Sequence, residues 1–380
     1  MNAGPGLKNE LVFVLNSGSS SLKFGLYQRG ASDEDALLTG SAEGIGHENG
    51  TLKILVADGK PLVARDGILE SQSAALATVG KAIREHVHTE PAAVGHRIVH
   101  GGPKLVTHQR ITPEVLDELR AATHFAPLHI PQALKLIAAA QELYPAATQY
   151  ACFDDVFHQS MPEVAAHLPL PESYFDRGVR RYGFHGLSYE SLVGHFGEQL
   201  PARAIFAHLG NGASLCAVRD GASIDTTMGL TPTGGIPMGT RLGDVDPGVL
   251  IHLMRTEKLG ADELEDLVNH RSGLCGLSGG ESDVRTLEER ARTGDAHAKL
   301  ALDVFATEVR KVIGGYVALL GGVDLLVFTG GIGEHSAYVR RASTDGLECL
   351  GLTAEKIKVV RAEEEKQIAR HCRRMMEQVQ

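Results

Sequence analysis

Residues 202–247 read ARAIFAHLGNGASLCAVRDGASIDTTMGLTPTGGIPMGTRLGDVDP. Two short apolar runs, Ala204 to Ala207 and Ser214 to Val218, flank Gly210-Asn211-Gly212. This is the layout of a β-hairpin whose turn would use glycine's tolerance of positive φ. Main-chain N–H groups in such a turn can approach an anion closely, so it either cradles a phosphate or only reverses the chain. Beyond the hairpin, Thr226, Thr227, Thr231, Thr233 and Thr240 lie among glycines and prolines in a polar loop ending in Gly239-Thr240-Arg241. Long irregular loops inside compact chains are usually functional.

The same pattern occurs near the start of the chain. Leu11 to Leu15 is an apolar strand, Asn16-Ser17-Gly18-Ser19-Ser20-Ser21 a small polar turn, and Leu22 to Tyr27 the returning strand. Ser21-Leu22 then matches Ser214-Leu215 at a separation of 193 residues. Duplication of one strand-hairpin unit would produce this, as would chance.

Between and beyond the hairpins, strands and helices alternate. Gly40 to Val56 and Lys60 to Val63 suggest strands, and Ser71 to His86 has a helical period. In the buried run from Ala93 to Gly102, Arg97 needs an anionic partner, either a ligand or a structural carboxylate. Pro113 to Ala122 and Gln132 to Glu142 read as helices. The strand Gln149 to Phe153 ends at Asp154-Asp155, and open α/β sheets place chemistry at the carboxyl ends of strands. Arg180 to Ser188 gathers cations, aromatic residues and His185 around two glycines, which suits a rigid loop facing an anion.

Asp246 to Arg255, Ala261 to Asn269 and Ala296 to Leu320 read as helices, with Ser272 to Gly280 a glycine-rich loop and Asp283-Val284-Arg285 opening a helix after it. The strand Val323 to Phe328 delivers Thr329 to Ser336 to a helix start, a ready anion or nucleotide site. No P-loop motif occurs, and Gly331-x-Gly333 lacks the third glycine of a dinucleotide fingerprint. Several glycine-rich loops spread along the chain suggest a nucleotide clamped between two duplicated domains.

Composition bounds the rest. The 380 residues are 43% hydrophobic and suffice for two domains with cores. The net charge of −10 argues against nucleic-acid binding. Five cysteines without CxxC spacing suit a reducing cytosol. The first residues lack the features of a secretory signal, and the apolar run Val312 to Phe328 is interrupted by glycines and Asp324, so a cytoplasmic protein with no membrane partner is expected.

The motifs NSGSSSLKF (16–24), VGHRIVHGG (94–102), APLH (126–129), FDDVFHQSMP (153–162), RRYGFHGLS (180–188), HLGNGAS (208–214), TTMGLTP (226–232), MGTRLGDVDP (238–247) and FTGGIGEHS (328–336) together resemble the acetate and propionate kinase family. The resemblance covers nearly the whole chain. It implies an α/β fold of two duplicated ribonuclease-H-like domains, of the actin, Hsp70 and sugar-kinase type, with an interdomain cleft. The N-terminal domain would span 1–153 plus the returning helix 363–380, and 154–362 would bind the nucleotide. A homodimer is also implied.

By the same resemblance, Asn16 and Glu364 are metal-associated, with Mg2+ the expected ion and Mn2+ a substitute, and ATP/ADP is the co-substrate. Ser19, Ser21 and Lys23 belong to a phosphate-facing hairpin; Arg97 and Arg241 hold the substrate carboxylate and the phosphoryl group. His185 stabilises the transition state and Asp154 is the catalytic carboxylate. The nucleotide would contact His208, Leu209, Gly210, Asn211 and Gly212, then Asp283, Val284 and Arg285, then Gly331, Ile332, Gly333, Glu334 and His335. Val99, Leu128, Phe184 and Pro232 would line a pocket for the acid's methyl group. The chain departs from the family pattern at Asp155, where threonine is usual, at His335, where asparagine is usual, and at Arg361 to Glu365.

A carboxylate acceptor is ionised at neutral pH, so the implied reaction, transfer from ATP to acetate giving acetyl phosphate and ADP, needs no general base. It needs charge stabilisation on the moving phosphoryl group. Three alternatives stand beside it: a propionate or other short-chain acid kinase, an ATP-binding homologue that has lost transfer, and a sugar or polyol kinase.

Overall fold

A computed structural model describes residues 10–18 and 20–378. The chain divides into two compact units, Met1–Val156 with Glu363–Gln380, and Phe157–Ala362. Ser19 lies outside the described residues.

The first unit is built on eight strands: β1 (Val12–Ser17), β2 (Leu22–Arg29), β3 (Glu34–Glu43), β4 (Thr51–Val56), β5 (Pro61–Asp66), β6 (Ala93–Ile98), β7 (Gln109–Arg110) and β8 (Thr148–Phe153). Their order is β5-β4-β3-β2-β1-β6-β8-β7. Strands β1 to β5 form an antiparallel meander, whereas β1, β6 and β8 run parallel. The expected strand from Gly40 to Val56 is in fact two, because the chain reverses between β3 and β4 through Gly44 and Gly46, both at positive φ.

Alternation sends Phe13 and Leu15 to a core shared with Leu76, Val79 and Ile83 of helix Gln72–Val87 and Leu136 and Ala140 of helix Ile130–Leu143. Ser71 caps the first of these helices through its side chain, which accepts from the Ala74 N–H. Gly95, paired with Val14, lies on the other face, where a β-carbon would come within 2.6 Å of Cys372 Sγ and Ile368 Cγ2. Its missing side chain lets the C-terminal helix Glu364–Gln378 settle on the sheet. A buried Arg373–Glu34 ion pair, at 3.0 Å, fixes that helix further along.

The second unit carries β9 (Arg203–Leu209), β10 (Ala213–Arg219), β11 (Ala222–Thr226), β12 (Leu325–Thr329) and β13 (Ile357–Val359), in the order β11-β10-β9-β12-β13. Here β9, β10 and β11 are antiparallel, and β9, β12 and β13 parallel. The central strands β3-β2-β1-β6-β8 of the first sheet correspond one for one, with the same directions, to β11-β10-β9-β12-β13 of the second. The repeated hairpin motif therefore reflects a duplicated topology. Tyr189 and Leu192 of helix Gly186–Phe196 pack on Phe206, Cys216 and Val327. The helix Ala296–Leu320 buries Phe305, Val309 and Ile313.

Two glycine-rich segments read as loops are helical. Gly273–Ser278 is a short helix closed by Gly279 at φ +78, and Gly330–His335 is a second one directly after β12. Glycine composition hides the first because hydrogen bonds from Leu274 and Cys275 to the distant Met238 and Gly239 carbonyls, not intrinsic propensity, hold its start.

Candidate active site

In the first unit, the parallel strands β1, β6 and β8 end side by side, with Leu15 opposite His96 and Ile98 opposite Phe153. Asn16, Arg97 and Asp154 therefore meet at one carboxyl edge. The Arg97 guanidinium donates to Asp154 Oδ2 through Nε, at 2.9 Å, and again through Nη2. Its Nη1 reaches Asn16 Oδ1 at 3.3 Å and the Ser17 carbonyl at 3.4 Å. The Asn16 amide donates in turn to Glu364 Oε2 at 2.9 Å and Glu365 Oε1 at 2.7 Å. Both glutamates stand in the first turn of the C-terminal helix, so Asn16 and Glu364, the expected metal pair, are in contact, and Glu365 joins them.

The electrostatics of this cluster are lopsided. Burial opposes the Arg97 charge, but Asp154, Glu364 and Glu365 outweigh it and hold the guanidinium above its ordinary value. Asp154 is pushed up to about 6, first by burial, against the pull of Arg97 and with Glu364 and Asp155 adding to the rise. Its Oδ1 is buried without a hydrogen-bond partner. That orphaned oxygen is a hard donor of the kind a divalent cation takes.

Asp155 commits one oxygen elsewhere, while its Oδ1 is buried without a hydrogen bond. Its Oδ2 accepts the Gly101 N–H at 3.0 Å and lies 3.2 Å from His100 Nδ1, fixing the turn after β6. That turn follows Val99, which lines a small recess with Ser17, Arg97, His129 and Ile130. His129 was not singled out from the sequence, although the APLH motif contains it. Leu128 sits in the turn before helix Ile130–Leu143 and is not part of the recess lining. Lys23 is exposed on β2 opposite Asn16, and Ser21 precedes that strand, its carbonyl accepting the Gly18 N–H.

In the second unit the β9–β10 turn, Gly210-Asn211-Gly212, is tight, with the Gly210 N–H donating to the Gly212 carbonyl at 3.0 Å. Contrary to the sequence expectation, neither glycine has positive φ. A β-carbon on Gly212 would stand 3.4 Å from both Arg241 Nη1 and His185 Nε2, in ordinary van der Waals contact with each. Guanidinium and imidazole thus converge over a bare backbone. The turn is knitted to the Arg241 loop, since the Gly239 N–H donates to the Asn211 carbonyl. Leu274 and Cys275 N–H groups at the start of helix Gly273–Ser278 donate to Met238 and Gly239 carbonyls. Arg241 Nη1 also donates to the Pro232 carbonyl at 3.1 Å.

His185 is a non-glycine residue at φ +60, preceding helix Gly186–Phe196. Its Nδ1 lies 2.8 Å from Ser214 Oγ, and its ring stacks on His208 at 4.3 Å. His208 Nδ1 lies 2.8 Å from Ser188 Oγ. Phe184 is 1% exposed. Arg181, by contrast, is spent on carbonyls of Ala165, Thr226 and Thr227, which makes it architectural.

Because β9 and β12 are parallel neighbours, with Thr329 opposite His208, the His208–Gly212 turn and helix Gly330–His335 emerge at the same sheet edge. Gly330, at φ +78, would drive a β-carbon to 2.7 Å from the Leu209 carbonyl oxygen. Gly331 and His335 are exposed, Gly333 is buried, and Glu334 Oε1 accepts the Gly330 N–H at 3.2 Å. Asp283 caps helix Val284–Arg292 by accepting the Thr286 N–H, and Arg285 pairs with Asp283 at 3.1 Å. Val284 is buried, so only its backbone is available to a ligand. Ser214 and Tyr189 escaped notice as site residues, since their types are unremarkable and only the fold brings them to His185.

A family model described as the Acetokinase family matches residues 11–375. The acetate kinase of Clostridium botulinum (strain 657 / Type Ba4) is 42% identical over 361 residues, covering 91% of this chain and 90% of the relative. That of Methylocella silvestris is 38% identical, covering 97% and 98%. Among solved structures, Porphyromonas gingivalis acetate kinase superposes with a TM-score of 0.85 at 36% identity, covering 97% of this chain and 100% of that one. A propionate kinase from Francisella tularensis gives 0.86 at 34%, covering 95% and 98%.

Proposed function

The chain belongs to the acetokinase family of carboxylate phosphotransferases, and from that premise we propose that it transfers the γ-phosphoryl group of ATP to acetate, reversibly, giving acetyl phosphate and ADP. The observation that carries this reading is the convergence of Arg241 Nη1 and His185 Nε2 over Gly212, a guanidinium and an imidazole nitrogen above a turn that carries no side chain there. Preorganised donors are what charge on equatorial phosphoryl oxygens requires.

The first unit supplies the acid-handling groups. Arg97 carries the charge that neutralises a carboxylate, and Val99 offers an apolar wall beside it. Asp154 is held at one oxygen by Arg97, which fits an orienting carboxylate and not a base working on a hydroxyl. This disfavours the sugar-kinase alternative. Asn16 and Glu364, with the free oxygen of Asp154 near them, would serve Mg2+, which when bound neutralises phosphate charge. The nucleotide would lie along the turn His208–Gly212, the Asp283–Arg285 helix start and Gly331–His335, with Ser19, Ser21 and Lys23 serving the phosphates.

Among the described residues no helix is long and apolar enough to cross a membrane. The five free cysteines support a reducing, cytoplasmic location. Helix Pro247–Thr256 exposes Val249, Ile251 and Met254, a surface that a second copy would cover in the proposed homodimer.

The test is turnover with ATP, Mg2+ and acetate, propionate or butyrate. The reading requires acetyl phosphate formation with kcat/KM highest for acetate; one methylene in an apolar pocket is worth about 1–3 kcal/mol, so a preference of roughly tenfold or more is expected. A higher value for propionate would transfer the assignment to that acid, and absence of phosphoryl transfer to any of the three would refute it.

A further inference from the structure

Behind His185 lies a short chain of hydroxyl groups within the second unit. Ser214 Oγ stands 2.8 Å from His185 Nδ1 and 2.6 Å from the Tyr189 hydroxyl. Ser214 and Tyr189 are both fully buried, and His185 is 8% exposed. Buried hydroxyls require partners, and these three groups satisfy one another. Ser214 comes from β10 and Tyr189 from helix Gly186–Phe196, so two rigid elements hold the contact. The neighbouring imidazole repeats the device: His208 Nδ1 rests on Ser188 Oγ, the rings are stacked, and its Nε2 lies 3.7 Å from where a β-carbon of Gly210 would stand.

We propose that Ser214, backed by Tyr189, is a positioning residue that holds His185 as the Nε2–H tautomer, with that N–H directed over Gly212 beside Arg241. Each hydroxyl has a single proton to give. If the Tyr189 O–H donates to Ser214 Oγ, the Ser214 O–H is left to donate to Nδ1, and the neutral ring keeps its proton on Nε2. Nε2–H then donates to a phosphoryl oxygen without the ring first having to become an imidazolium. The reverse order would protonate Nδ1 and turn the lone pair of a neutral ring toward an anion. The positive φ of His185 places the ring where both ends can be used: Nδ1 toward the core and Nε2 toward the turn. This inference rests on the phosphoryl-transfer reading for its consequence, but the tautomer itself does not depend on it.

The experiment has two readouts on the full chain. Histidine-selective 15N labelling, with the His185 signal assigned by its loss in His185→Gln, reports which ring nitrogen carries the proton in the resting protein. Steady-state kinetics of Ser214→Ala and Tyr189→Phe report the consequence. The expected result is an Nε2–H tautomer in the wild type and a mixture of tautomers in Ser214→Ala. The kcat of Ser214→Ala should fall on the order of tenfold to a hundredfold with KM for ATP within about threefold, as a misdirected group would give. Tyr189→Phe, which removes only the hydroxyl, should show a smaller loss of kcat, again with KM held. An Nδ1–H tautomer in the wild type, or wild-type kcat in Ser214→Ala, would overturn the inference. A wild-type protein that shows the Nε2–H tautomer but transfers no phosphoryl group would refute the function and leave the positioning assignment standing.

Discussion

Arg97 and Asp154 stand at the ends of adjacent parallel strands, and Arg97 grips a single oxygen of Asp154 twice, through Nε at 2.9 Å and through Nη2. The other oxygen, Oδ1, is buried without a hydrogen bond. Half of this carboxylate is thus structural and half is available to a ligand. Arg97→Ala is expected to lower kcat/KM at least a hundredfold and to destabilise the first unit by about 3–5 kcal/mol, because it strands Asp154 and the two glutamates without a counter-charge. Kinetics alongside thermal unfolding check both parts. Asp154→Asn should abolish turnover with little loss of stability.

Arg241 is placed by its neighbours. Gly273, at φ +60, sits so close to the loop that a β-carbon would lie 2.1 Å from the Met238 carbonyl oxygen and 2.6 Å from that of Arg241. Gly273→Ala therefore must move the loop that carries Arg241. We expect it to reduce kcat on the order of a hundredfold, approaching Arg241→Ala, although residue 273 bears no functional group. Wild-type turnover in Gly273→Ala would show that the loop position does not matter.

His96 titrates against the fold. It is buried on β6 with Nε2 2.8 Å from Gln149 Oε1, and burial pulls its pKa down to about 4, opposed by that hydrogen bond. A depressed histidine favours the native state while neutral. Its contribution is full above the unfolded value near 6.5 and is lost as pH falls through that value toward 4. The loss is roughly 3 kcal/mol when complete. The stability difference between wild type and His96→Gln should therefore move in favour of the variant as pH falls from 7 to 4. Melting curves across that range that stay parallel would contradict the assignment.

The C-terminal helix is held by Arg373 and Glu34, each 5% exposed in its side chain and 3.0 Å apart. Removing one partner leaves a buried charge, so Glu34→Ala should cost about 3–5 kcal/mol. Because the same helix brings Glu364 and Glu365 to Asn16, the variant should also bind Mg2+ more weakly than wild type. Titration of the ion followed by calorimetry would detect it.

The sequence alone determined the α/β class, the two hairpins and the strand ends that carry Arg97 and Asp154. Each follows from local signals: period-two or helical apolar patterning, a turn between apolar runs, and a charged residue embedded in a buried strand. The family motifs made His185 and Arg241 visible as site residues as well. What the tertiary structure decided is how those groups are held. The glycines of the 210–212 turn do not use unusual φ, and Gly273–Ser278 is helical despite its composition. Asp155 is spent on a turn, Glu365 stands beside Glu364, and Ser214 and Tyr189 back His185. These facts depend on contacts between residues far apart in the chain, such as Asn16 with Glu364 and Glu365, or Ser214 with His185. Local propensity carries no information about such contacts, because they exist only once the sheet registers and the returning helix have been fixed.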